Sequence, residues 1–270
     1  MKTIVITGSS SGIGKATAKY FAGQGWKVAA TMRNPENETR LNQLDNVSLY
    51  TLDVTDEVSI ARAAGQIISD FGTVDVVLNN AGYAVAGAFE AATSEQIRRQ
   101  FDTNVLGLMN VTRAFLPHFR ANKAGLFLNV SSIGGRVTFP FLSLYHSTKW
   151  AVEGFSESLS YELGELGIQV KIIEPGGVDT DFAGRSMVIA AEEDLTAYDE
   201  LLGKFQANRG KSGLAANTAE FLAEGIYKAT TDGKTQLRYL IGRDAEQVYG
   251  MRQQVGDDAF IAGISQQMLS

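Results

Sequence analysis

The stretch Thr3–Gly14, TIVITGSSSGIG, decides the fold. Thr3 to Thr7 is a β-branched run that stops at a glycine, and an amphipathic pattern (Ile13, Ala16, Thr17, Tyr20, Phe21) begins just after it. This reads as strand, glycine turn, helix. Glycines let the backbone approach a ligand closely, and a helix N-terminus offers unpaired N–H groups to a pyrophosphate. The spacing is T-G-x-x-x-G-x-G over Thr7-Gly8-Ser9-Ser10-Ser11-Gly12-Ile13-Gly14, not the plain G-x-G-x-x-G. Two rival readings are an ordinary tight turn and a G-x-S-x-G nucleophile elbow over residues 8–12. The elbow needs an acid and then a histidine downstream, and neither His118 nor His146 has a triad setting. Dinucleotide binding is therefore the preferred reading.

Outward from this loop, strands and helices alternate. Residues 26–32 (WKVAATM) form a second strand ending at Arg33. An acid about twenty positions after the loop would take a ribose 2'-OH, whereas an arginine suits a 2'-phosphate. The acid is missing and Arg33 is present, which favours NADP(H) over NAD(H). A loop and short helix fill 34–45, and 47–52 is a third strand. Asp53 at its end could cap the next segment or accept hydrogen bonds from an adenine amino group. After a helix over 56–71, residues 74–78 are a continuous apolar strand of the kind buried on both faces of a parallel sheet. It runs into Asn79-Asn80-Ala81-Gly82, whose amides could tie strands together or floor a cofactor cleft.

One long helix is expected from Gln96 to His118, with Asn104 among its apolar positions. That amide is either a core group bonded to backbone or a holder of water in a proton path. A fifth strand, 126–130, ends at Ser131-Ser132, and a sixth, 168–173, ends at Glu174-Pro175-Gly176-Gly177-Val178-Asp179-Thr180. Residues 181–216 lack strand patterning and read as a substrate lid. A helix from 218, a seventh strand over 237–241 and one or two helices over 244–269 complete the chain. The expectation is an α/β fold in a single domain, 1–270. Its core is a Rossmann-type doubly wound seven-stranded parallel sheet, order 3-2-1-4-5-6-7, with helices on both faces.

Tyr145 and Lys149 stand four residues apart on the opening of a helix, so both side chains can share one face. A cation about 4 Å from a phenol at an effective dielectric of about 20 favours phenolate by about 4 kcal/mol. That would bring a tyrosine, whose free pKa is about 10, toward use as an acid or base near pH 7. Y-x-x-x-K is also a common accident on helices. Ser132 precedes Tyr145 by thirteen positions, a loop long enough to fold its hydroxyl back beside the phenol.

Composition removes other classes. The net charge of -6 and pI near 5.1 oppose a nucleic-acid binder. There are no cysteines and two histidines, which excludes thiol chemistry and makes a metal cage improbable. The sequence opens directly on a strand, with no apolar run of membrane-spanning length, so a cytoplasmic protein is the expectation.

Together, Thr7-Gly8 with Gly12 and Gly14, Asn79-Asn80-Ala81-Gly82, Asn104, Ser132, Tyr145, Lys149 and Pro175-Gly176 with Thr180 resemble the short-chain dehydrogenase/reductase family in its single-domain form, over about residues 1–242. The resemblance implies Tyr145 as general acid or base, Lys149 lowering its pKa and holding the nicotinamide ribose, Ser132 bonding the substrate oxygen, and Asn104 keeping a relay water. It implies Gly8, Ser10, Ser11, Gly12, Ile13 and Gly14 along the pyrophosphate, and Asp53 and Val54 at the adenine. Asn80, Ala81 and Gly82 would lie at the ribose, and Pro175, Gly176, Val178 and Thr180 at the nicotinamide. Arg33 looks like the NADP-selecting arginine of one branch, although Ser11 stands where some NADP-dependent members have a second basic residue. Residues 144–159 resemble the branch holding hydroxysteroid and retinol dehydrogenases, and the apolar segments 83–89 and 139–144 would wall a pocket for a lipophilic ketone or alcohol. A homodimer or homotetramer is expected from the family. A nucleotide-sugar epimerase would need a larger substrate domain, and a non-catalytic NADP sensor would not need the intact Ser132, Tyr145 and Lys149.

Overall fold

A computed structural model describes residues 1–179, 186–208 and 216–270. Its central sheet has seven strands: β1 (Thr3–Ile6), β2 (Lys27–Met32), β3 (Val47–Thr51), β4 (Val76–Asn79), β5 (Gly125–Val130), β6 (Ile168–Pro175) and β7 (Arg238–Ile241). Every pairing is parallel. The spatial order is β3-β2-β1-β4-β5-β6-β7, as the alternation predicts. Among the described residues the α-helices are α1 (Gly12–Gly23), α2 (Glu57–Phe71), α3 (Ser94–Phe101), α4 (Gly107–Asn122), α5 (Ser143–Gly164), α6 (Asp199–Asn208), α7 (Ala219–Thr231), α8 (Arg243–Val255) and α9 (Asp257–Leu269).

The period-two geometry of a strand sends alternate side chains to opposite faces, and β1 divides its residues accordingly. Ile4 and Ile6 join Phe21 of α1 and Leu222 and Ile226 of α7 in one apolar layer. Val5 joins Ile60 and Ile67 of α2, Phe115 of α4 and Leu159 of α5 in the other. With both faces covered, TIVI is buried throughout. Local chemistry sets the helix ends. The Asp56 carboxylate caps α2 by accepting from the N–H groups of Val58 and Ser59, and Thr93 with Gln96 forms a capping box on α3.

Two differences from the sequence expectation bear on the site. The helix expected to run unbroken from Gln96 to His118 is interrupted at Asp102–Leu106 by a π turn, where the Gly107 N–H reaches back to the Asp102 carbonyl. The segment read as lacking strand pattern holds a short strand, Met187–Ala190, paired with Ala84–Gly87, and then α6. Ala84–Gly87 lies in one of the expected pocket walls and Met187–Ala190 in the expected lid. The lid expected over 181–216 lies partly outside the described residues.

Candidate active site

The chain winds from β1 outward to β3, then returns to place β4 on the other side of β1. The switch opens a crevice at the carboxyl ends of the strands. The glycine loop occupies it. Gly8 and Gly12 have φ of 69° and 52°, a region costly for other residues. Gly14 is required by proximity, because a Cβ there would lie 2.4 Å from the Gly8 carbonyl oxygen and 2.5 Å from Asn80 Nδ2. Asn80 stitches the loop to β4: its Nδ2 donates to the carbonyls of Thr7 (2.9 Å) and Gly8 (3.2 Å), and the N–H groups of Asn80 and Ala81 donate to Thr7 Oγ1. Asn79 ties strands too, donating to Asn129 Oδ1 and Thr112 Oγ1. Both amides therefore take the strand-tying role that the sequence left open.

Ser11 makes no side-chain cap on α1, and the first turn of α1 holds no acidic residue. Its N–H groups face an open cleft of about 610 Å³ lined by Ser10, Ser11, Gly12, Lys15, Asn34 and Arg40, among others. Exposed Arg33 sits between the wall residues Met32 and Asn34. Lys15 Nζ pairs with Glu38 Oε2 at 2.7 Å. A narrow-backed loop, free helix N–H groups and a surplus of basic side chains fit a dinucleotide phosphate. Asp53 takes the capping option with one oxygen, Oδ1 accepting from the Thr55 N–H and hydroxyl. Val54 is buried against Gly107, and Ile13 packs on the α1 face of the core.

Ser132, two residues beyond β5, caps a short 3-10 turn over Ile133–Gly135, its Oγ accepting from the Gly134 N–H at 3.0 Å. The loop folds back as its length allows and sets the Ser132 hydroxyl beside the Tyr145 phenol, near enough to favour the charged form of the phenol. Tyr145 and Lys149 occupy successive turns of α5, with Lys149 Nζ 5.7 Å from the centroid of the tyrosine ring. The net direction of the Tyr145 pKa differs from the one expected from the sequence. Burial pushes the Tyr145 pKa up, with the Ser132 hydroxyl working the other way. The Lys149 ammonium donates to the Val130 carbonyl at 2.9 Å. Lys149 itself is pushed down to about 8 by burial, with the Glu153 carboxylate working the other way.

Asn104 is buried in the π turn. Its Oδ1 accepts from the Tyr83 N–H (3.0 Å), and its Nδ2 donates to the Tyr83 carbonyl (2.8 Å) and Thr148 Oγ1 (3.1 Å). The side chain is thus bonded to the Tyr83 backbone and to the Thr148 hydroxyl. Beyond β6, Gly176 donates to the Ile241 carbonyl, and Gly177 donates to Asp244 Oδ2 at 2.6 Å. Val178 pairs with Asn217. Thr180 lies outside the described residues.

Three residues that shape the site had not been singled out. Gln100 brackets Tyr83 and Val85 with its amide; its signal is a second buried polar group four residues before Asn104. Asp244 fixes the Gly176-Gly177 turn, and nothing local marks it. His146, considered in the sequence only as a triad partner, bridges the Ser132 loop. The segments expected to wall a pocket are apolar and pack together: Val85, Ala88, Leu144 and Ala190 form a cluster with Tyr83 and Tyr198, and the Phe141 and Phe205 ring centroids lie 5.5 Å apart.

Comparison with known proteins agrees with this geometry. Residues 2–187 match the short chain dehydrogenase family, and the chain belongs to it. The chain is 41% identical over 197 residues to a 3-ketodihydrosphingosine reductase of Bacteroides thetaiotaomicron, covering 73% of this chain and 70% of that one. A crystal structure of a short-chain dehydrogenase from Streptomyces avermitilis superposes with a TM-score of 0.83 at 33% identity, covering 98% of this chain and 95% of that one. The structure of ElxO with NADP bound superposes at 0.73 and 29% identity, covering 88% and 97%. The protein is an oxidoreductase of the class that acts on CH–OH groups with a nicotinamide cofactor.

Proposed function

We propose that this enzyme uses NADP(H) to interconvert a lipophilic ketone or aldehyde and its alcohol, with Tyr145 exchanging the proton. The observation that carries the reading is the meeting of the Ser132 hydroxyl and the Tyr145 phenol at the end of β5, one helical turn from the buried Lys149. The bound nicotinamide supplies or accepts the hydride. In reduction, Ser132 hydrogen bonds the carbonyl oxygen and stabilises the negative charge that grows there. Tyr145 then gives its proton to that oxygen. A phenol pushed up by burial holds this proton until the oxygen is basic enough to take it, which suits the acid role. Lys149 holds the nicotinamide ribose, and Asn104 fixes Tyr83 and Thr148 around the helix that carries Tyr145. Gly8, Ser10, Ser11, Gly12, Ile13 and Gly14 take the pyrophosphate, with Asp53 and Val54 at the adenine and Pro175, Gly176, Val178 and Thr180 at the nicotinamide end.

The choice of NADP(H) is supported by exposed Arg33 beside a cleft that also holds Lys15 and Arg40. The lipophilic substrate is supported by the apolar walls and by the keto compound for which the Bacteroides relative is named. We take residues 1–270 as one catalytic domain that works in the cytoplasm as a homodimer or homotetramer. Leu106, Trp150 and Tyr161, which are exposed around α4 and α5, support the assembly.

The test is nicotinamide absorbance during incubation with a panel of ketones and alcohols, comparing the native enzyme with Tyr145→Phe. The variant should lose about 100-fold or more in kcat, the scale of a lost general acid, while binding NADPH normally. Turnover by the variant at the native rate would remove Tyr145 from the chemistry.

A further inference from the structure

The loop that carries Ser132 must hold its hydroxyl against the phenol of another element, and 3-10 turns and coil alone are poor at such positioning. His146, the residue after Tyr145, meets this loop at both ends. Its Nδ1 lies 2.8 Å from the Gly134 carbonyl, and its Nε2 receives the Phe139 N–H at 3.1 Å. The ring is buried, at 4% exposure. These contacts fix its chemistry. A backbone N–H can only donate, so Nε2 must be the bare acceptor nitrogen, and the single proton must sit on Nδ1, donating to Gly134. Burial pushes the ring pKa down, in keeping with a neutral imidazole, although the Gly134 carbonyl favours the charged form. The fit is close: a Cβ on Gly134 would lie 2.7 Å from Nδ1, so only glycine admits the ring there.

We infer that His146 is a positioning residue, a neutral two-ended clamp that holds residues 134–139 so that Ser132 stays aligned with Tyr145 and the carbonyl substrate. The inference rests on the proposed roles of Ser132 and Tyr145. The neighbouring side chain carries the proton of the reaction, so one turn of α5 presents the acid and, beside it, the group that aligns the hydrogen-bond donor. Arg252 supports the far side of the same loop, donating from Nη1 to the Arg136 carbonyl at 2.8 Å, which leaves His146 to secure the side nearest the chemistry.

Two amide substitutions separate the ends of the clamp. His146→Asn keeps a donor near the position of Nδ1, and His146→Gln keeps an acceptor near the position of Nε2; His146→Phe keeps the volume and loses both. The expected result is a drop in kcat of about tenfold or more in the Phe variant, partial recovery in at least one amide variant, and a Kd for NADPH within about twofold of native in all three. Native kcat in the Phe variant would overturn the inference, as would equal losses in kcat and NADPH affinity, which would mark a general structural role. Two measurements need no substrate. Nitrogen NMR of the native enzyme should show the Nδ1–H tautomer of His146, and amide exchange at residues 134–139 should rise in the Phe variant. An Nε2–H tautomer or an imidazolium at neutral pH, or unchanged exchange, would refute the clamp. If Tyr145→Phe keeps native turnover while these two results hold, the reading of the chemistry fails and the clamp stands.

Discussion

Gly14→Ala is the substitution whose effect follows most directly from the geometry. The new Cβ would sit 2.4 Å from the Gly8 carbonyl oxygen, 2.5 Å from Asn80 Nδ2 and 3.0 Å from the Gly8 carbonyl carbon, and real Cβ atoms essentially never come closer than 3.0 Å. Backbone or α1 must therefore move by at least about 0.6 Å. The Asn80 amide cannot swing away without releasing the Thr7 and Gly8 carbonyls. Overpacking of this kind costs about 1–3 kcal/mol of stability. Displacing the helix N-terminus also weakens its hydrogen bonds to a bound phosphate, each worth about 1.5–3 kcal/mol. Loss of one such bond lowers NADPH affinity by about 10- to 100-fold. Fluorescence titration with NADPH and thermal melting measure the two effects separately. Gly23→Ala is the control, since a Cβ there meets nothing within 4 Å and the residue closes the same helix; it should bind and melt as native or slightly above. Native NADPH affinity together with a native melting temperature in Gly14→Ala would refute the argument.

The remaining predictions concern the cofactor and the sheet. Arg33→Ala should weaken NADPH by about tenfold or more while leaving NADH nearly unchanged, as paired titrations would show; equal loss for both would remove Arg33 from 2'-phosphate recognition. Lys171 is buried on β6 and donates to Asp232 Oδ1 at 2.8 Å and to the Ala229 carbonyl. Burial alone would raise the Asp232 carboxyl, but Lys171, the Lys234 N–H and Tyr239 hold it at about 2, below its ordinary 3.8. A pKa lowered by folding stabilises the native state above the unfolded value, and this stability fades as pH falls from about 4 toward 2. Asp232→Asn should lower the melting temperature at pH 7 and flatten its acid dependence across that window; an unchanged slope would show that the pair does not contribute.

The sequence alone determined the sheet and singled out most of the candidate site residues. Thr3–Gly14 already contains the physics of strand, turn and helix termini, and β-branched runs recurring between helical patterns leave a doubly wound sheet as the way to bury both faces. The spacing from Ser132 to Tyr145 to Lys149 likewise allowed the meeting that the structure makes. What only tertiary structure decided are the quantities set by groups distant in sequence. The direction in which Lys149 points depends on the Val130 carbonyl of another element, so its expected pull on the phenol could not be checked locally, and burial, a property of the whole packing, turned the Tyr145 pKa the other way. The amide of Asn104, in the π turn, is bonded to the backbone of Tyr83, twenty-one residues away in the chain. His146 and Asp244 were silent in the sequence for the same reason: hydrogen bonds to backbone atoms of a remote loop leave no residue-type pattern behind, because every residue carries the same carbonyl and nearly all the same N–H.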